Sequence, residues 1–317
     1  RAARPLATRA AASPDAAAAF LASAGVPAAD VATMLAKAPD ALKASVDGVI
    51  RPKVALLQTE AGLTGPQLGH VLAAQPRLLT LSLERHLAPT VAYFRSSLGL
   101  RARTLARVAT ARPILLTYDV ADSIQPKADF FAGIGVGPAG LKRMLTQSPD
   151  ILSIGVGNDL KPTVEYLQSG LGVTGGALAD LLTHHPTIFH CPLSVAKDNA
   201  KALAGMGLDA AGVRAVLTGA PVLFRRSLAA KSMAAKLKFW ADTGRAPADL
   251  AAAPAFLQRS IKRSGPRLEF AAKHGGKSVP VPALLAGPDD AFAGAALGAP
   301  GAAAEFLAYA AAWPAAN

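Results

Sequence analysis

Few residues in this sequence could do chemistry as a group. His184, His185, His190 and Cys191 bring imidazole and thiol together within eight positions, the side-chain types that ligate zinc. Pro186 interrupts their spacing, and no second ligand pair stands farther along the chain. Gly275, Gly276, Lys277 and Ser278 look like the end of a phosphate-binding loop, but the first glycine that such a loop requires is Ala271. There is no nucleophile elbow, no dinucleotide fingerprint and no recurring carboxylate pair. The sequence therefore predicts no enzyme, no metal site and no cofactor.

The chemistry that remains is charge. The chain carries 33 Lys and Arg against 21 Asp and Glu, a formal net charge of +12, which points to a polyanionic partner. Between residues 225 and 277 stand Arg225, Arg226, Lys231, Lys236, Lys238, Arg245, Arg259, Lys262, Arg263, Arg267, Lys273 and Lys277. Only Asp242, Asp249 and Glu269 oppose them, so about a sixth of the chain holds +9 of the total. Such clustering suits neutralisation of phosphates. Arg225, Arg226, Lys231, Lys236, Lys238, Arg259, Lys262, Arg263 and Arg267 are the leading candidates for nucleic-acid contact. A smaller group, Arg95, Arg101, Arg103 and Arg107 with Arg112 beside it, is the second candidate, and Arg103 and Arg107 share a helical face. The sparse aromatics Tyr93, Phe94, Phe130, Phe131, Tyr166, Phe239 and Trp240 read as core and not as stacking platforms.

The elements that must position these cations come from a repeat. Prolines at 39, 76, 113, 149, 186, 221 and 254 recur at intervals of 37, 37, 36, 37, 35 and 33 residues. Three positions after each comes Leu42, Leu79, Leu116, Leu152, Phe189, Phe224 or Leu257. Thirteen positions after the first four come Pro52, Pro89, Pro126 and Pro162, which predict helix starts, because proline in a first turn loses no hydrogen bond. Pro266 lies twelve beyond the last, and Asn199 and Ala234 take the place in the fifth and sixth units. Fourteen positions before the first six prolines stand Gly25, Gly62, Gly99, Gly135, Gly172 and Gly207, suited to closing a helix in the left-handed conformation. Apolar pairs such as Val31 and Leu35, Leu68 and Leu72, or Leu141 and Leu145 then mark one face of a second helix that runs into the proline.

Each unit is thus expected to be helix, glycine turn, helix and a short 3₁₀ turn. No such unit buries its apolar face alone, so about seven should stack as one all-α solenoid. The expected layout is a flexible arm or transit-peptide remnant over residues 1–13, repeats over 14–277, and a Pro, Gly and Ala rich cap and tail over 278–317. No apolar run reaches the length of a membrane span.

The stretches QPRLLTLSLERHLAPTVAYF at 75–94, RPILLTYDVADSIQPKADFF at 112–131 and SPDILSIGVGNDLKPTVEYL at 148–167 carry a Pro-x-Leu-Leu pattern, with Ile151 for the first leucine in the third, that resembles the mitochondrial transcription termination factor (mTERF) family. RSIKRSGPRLEF at 259–270 looks like that family's closing signature, with an insertion before Pro266. The resemblance covers roughly residues 14–295. It implies a curved α-solenoid with a basic groove, targeted to the mitochondrion or alternatively the chloroplast. It also implies work in transcription termination, RNA splicing or ribosome assembly. The favoured expectation is RNA binding, as a factor bound to ribosomal RNA, with organellar ribosomal proteins as further partners. Duplex DNA binding in transcription termination and a protein-binding scaffold are the alternatives.

Overall fold

The computed structural model describes residues 14–274, 281–285, 292 and 302–313, all helix and turn with no strand among them. The expected arm at 1–13, Lys277, and much of the expected tail lie outside the described residues. The chain divides into two compact units. One runs to Pro162 and includes Thr174–Pro186; the other comprises Thr163–Val173 and the chain from Thr187 onward.

In the first unit the repeat appears as stacked second helices. Ala28–Lys37 packs on Gly65–Ala74, that on Ala102–Ala111, that on Pro138–Gln147, and that on Gly175–His184. The proline turns Pro39–Lys43, Pro76–Leu79 and Pro113–Thr117 stack in succession beside them. Leu42, Leu78, Leu79, Leu115 and Leu116 are buried in it. A fully buried leucine contributes about 1.5–3 kcal/mol, so these paired positions hold neighbouring repeats together. In the first repeat Met34 is fully buried and the expected Leu35 is only half-buried.

Glycine geometry sets the helix-to-helix corner. Gly62 has φ +71°, and a Cβ there would lie 2.8 Å from the carbonyl carbon of Ala102 in the next repeat. The position therefore excludes a side chain twice, by backbone conformation and by contact.

Pro52, Pro89, Pro126 and Pro162 stand in the first turn of their α-helical segments, as expected, but those segments are not where the helical chain begins. A wide helical turn precedes each α-helical segment, closed by i to i+5 bonds from Ile50 to Ser45, Leu87 to Ser82, Ile124 to Asp119 and Leu160 to Gly155 at 3.0–3.2 Å. The cause is local: the proline ring crowds the carbonyl four residues back and offers it no N–H, and widening the turn moves that carbonyl aside. Where Asn199 replaces proline, the helix Leu193–Gly205 is regular from its start.

In the second unit, Leu193–Gly205 packs on Ala210–Gly219 and on the turn Pro221–Phe224, and Ala210–Gly219 packs on Asp249–Ala252. Gly244, at φ +72°, closes the helix Lys231–Asp242 and is a seventh corner glycine. It stands ten residues before Pro254 instead of fourteen, because the sixth repeat is shortened at this corner. Helix Ala302–Ala312 packs on Ile261–Lys273. Phe270 meets Phe306 and Tyr309, and Trp313 donates to Glu269 at 2.8 Å.

Candidate nucleic-acid interface

The basic residues of the second unit separate into two kinds. Arg225 and Arg226 are exposed and follow directly on the turn Pro221–Phe224, whose Leu223 and Phe224 are buried. Lys231 is the exposed first residue of Lys231–Asp242, and Lys262 and Arg263 are exposed in the first turn of Ile261–Lys273.

The remaining candidates are engaged. Lys236 is half-buried and donates to the Leu257 carbonyl at 2.7 Å. Burial, and then repulsion from Arg226, pull its pKa below the usual lysine value. Arg267 is only 6% exposed; it donates to the Leu284 carbonyl and lies over the ring of Phe292. Half-buried Arg259 donates to the Leu285 carbonyl. Lys238 is exposed and pairs with Asp242 at 2.7 Å, an exposed pair of small energetic weight. Because Lys236 feels Arg226 and also bonds Leu257, the Arg225–Arg226 segment and the turn Ala255–Gln258 both lie near this one amine.

Helix electrostatics distinguish two leading helices of this unit, although in the first unit Ala102–Ala111 also carries a cation, Arg103, and no acid in its first turn. In the first unit, Asp47, Glu84, Asp122 and Asp159 occupy the first turns of the repeat's leading helices, where a carboxylate complements the positive helix end. Lys231–Asp242 and Ile261–Lys273 have no acid in their first turns and carry Lys231, or Lys262 and Arg263, instead. Each such cation costs about 0.3–1 kcal/mol against the helix dipole. A bound phosphate reverses that sign, because dipole and side chain then attract the same anion.

In the first unit Arg101, Arg103 and Arg107 are exposed, the last two on one face of Ala102–Ala111. Arg95 is half-buried and donates to the Leu100 carbonyl at 2.9 Å, closing its own helix corner. Arg112 pairs with Asp150 at 3.1 Å. Sequence reasoning missed Arg143, exposed on the neighbouring helix Pro138–Gln147 and in contact with His184. Its position six residues before the repeat proline, shared with Arg107, was the available signal.

The other groups are accounted for locally. His184 meets the Asp180 carbonyl at 2.8 Å, and the Cys191 thiol points to the Thr187 carbonyl with its pKa raised by burial. Among the described residues no three His, Cys, Asp or Glu side chains converge as a metal site. Of the aromatics expected in the core, Phe94, Phe131 and Trp240 are buried, whereas Tyr93, Phe130, Tyr166 and Phe239 are only half-buried.

The registered prolines, glycine corners and paired leucines agree with a family model described as mTERF, which matches residues 4–293. The chain belongs to the mTERF family. A search of curated proteins returns no match. mTERF proteins are nucleic-acid-binding helical-repeat proteins of organelles. Among its described residues no helix is long and apolar enough to cross a membrane.

Proposed function

We propose that this mTERF protein binds structured RNA through the phosphate backbone, using Arg225, Arg226, Lys231, Lys262 and Arg263 of the second unit, as a non-catalytic factor of an organellar ribosome or another RNA assembly. The observation that carries this reading is the replacement of first-turn acids by cations in Lys231–Asp242 and Ile261–Lys273. Cations at helix ends meet backbone phosphates. A helix reading base edges in a DNA major groove would instead present Arg, Asn or Gln along its length. Beyond its first turn Lys231–Asp242 exposes Ala234, Ala235 and Ala241, with Lys238 already paired. Folded RNA, whose deep major groove is closed to side chains, is recognised by shape and backbone.

Crosslinking the protein in its organelle and sequencing the bound nucleic acid tests the proposal. Recovery of ribosomal or other structured RNA is the expected result. Recovery of duplex DNA alone transfers the same surface to transcription, and binding that is flat with salt removes both nucleic-acid readings in favour of a protein scaffold.

A further inference from the structure

The segment that presents Arg225 and Arg226 is held from beneath by one buried side chain. Asn199 is 1% exposed, in the helix Leu193–Gly205. Its Nδ2 donates to the carbonyls of Leu223 at 2.6 Å and Arg226 at 2.8 Å, and its Oδ1 accepts from the Leu228 N–H at 2.7 Å. Two carbonyls and one N–H fix the amide's orientation without ambiguity. The three bonds bracket Arg225 and Arg226 on both sides, so the backbone carrying the two guanidinium groups is set before any ligand arrives.

In the first unit other side chains reach the neighbouring turn: His86 meets the Thr117 carbonyl and Thr90 donates to that of Tyr118. Lys53 donates to the Leu79 carbonyl and Lys127 to that of Leu152. At the places of Arg225 and Arg226 those repeats have Thr80 and Leu81, and Ser153 and Ile154. The bracketing amide therefore occurs where an arginine pair follows the turn, and where loss of the repeat's proline lets Asn199 take a regular helical position.

We propose that Asn199 is a positioning residue that pre-sets Arg225 and Arg226 for phosphate contact. This rests on the proposed nucleic-acid reading of the second unit. Its action runs wholly through the two arginines, because its own atoms are buried and satisfied. Preorganisation of this kind raises affinity by removing the ordering cost at binding.

The test is a mutant cycle on the full chain, combining Asn199→Leu or Asn199→Ser with the double change Arg225→Ala and Arg226→Ala. Affinity is measured for a labelled random-sequence single-stranded RNA and a random-sequence DNA duplex over a salt series, with helicity checked by circular dichroism. Losing two phosphate contacts lowers the salt slope by about 1.4 on single strands or 1.8 on duplex DNA, and weakens binding roughly 10- to 30-fold near physiological salt. The arginine double variant should show this loss and Asn199→Leu a loss approaching it. Adding Asn199→Leu to the arginine double variant should change nothing further. A loss that adds in full would mean that Asn199 acts on the whole fold, and overturns the proposal. So does wild-type binding by the Asn199 variants when the arginine variant is weakened. If the arginine variant itself binds with wild-type affinity and slope, the underlying reading fails and Asn199 has nothing to position. Should Asn199→Leu not fold, Asn199→Ser decides, since its small polar side chain admits water to the freed backbone groups.

Discussion

Lys236 directs its amine to the carbonyl oxygen of Leu257, 2.7 Å away, across the boundary between one repeat and the next. Lys53 and Lys127 make the same bond to Leu79 and Leu152 in the first unit. Three lysines of a basic chain thus hold the repeat together from within.

Replacing Lys236 with Ala should accordingly cost about 1 kcal/mol of stability through the lost bond and stem packing. The salt dependence of nucleic-acid binding should stay as it is. Lys231→Ala should do the opposite, leaving the melting temperature unchanged or slightly raised and making the salt slope shallower. Thermal denaturation beside a salt titration separates the two; a shallower slope in Lys236→Ala would show that its charge reaches the ligand after all.

Replacing Arg225, Arg226, Lys262 and Arg263 together with Ala should weaken binding roughly 100-fold or more near physiological salt, with far-ultraviolet circular dichroism unchanged. The same change removes two cations from the first turn of Ile261–Lys273, each unfavourable to the helix dipole by a few tenths of a kcal/mol. Weaker binding should therefore come with equal or higher thermal stability. Retained affinity would shift the contact to the exposed Arg101, Arg103, Arg107 and Arg143 of the first unit.

The repeat itself was legible because its determinants are local. A proline stops a helix and a glycine closes a corner whatever lies nearby, and a leucine pair recurs wherever two turns stack. What was not legible depends on partners one repeat away. Lys236 and Lys231 read alike in sequence, yet one bonds a distant carbonyl and the other meets solvent. Arg267 counts as a full positive charge although it is buried against Leu284 and Phe292. Gly244 escaped a fixed spacing because the sixth repeat is short. Asn199 read as a missing proline, when it makes three bonds to residues 24–29 positions away.

Corner glycines should differ in tolerance. Gly207→Ala meets no atom within 4 Å and carries only the strain of φ +91°, roughly 1 kcal/mol. Gly62→Ala adds the contact with Ala102, so its melting temperature should fall further. Equal losses in the two variants would mean that neighbouring repeats separate freely at Gly62. Leu115→Asp with Leu116→Asp should be far more severe, since both sites are 1% exposed and two carboxylates would enter the turn stack. Cooperative melting of the first unit should be lost.

Acid should release the last described helix. The Glu269 carboxylate is held below its ordinary pKa of 4.5, chiefly by its bond from Lys273 and with help from Trp313 and Tyr309. Lys273 lies 2.8 Å from it, and Trp313 donates to its other oxygen at 2.8 Å. A carboxyl whose folded pKa is depressed binds more protons in the unfolded state as pH falls, so its stabilisation is complete above 4.5 and is lost below it, through the folded value. Trp313 fluorescence, followed in a Trp240→Phe background to silence the core tryptophan, should therefore change as the solution is taken well below pH 4.5. Glu269→Gln should abolish that transition while keeping an acceptor for the indole N–H. A transition that survives in Glu269→Gln would assign the acid response elsewhere.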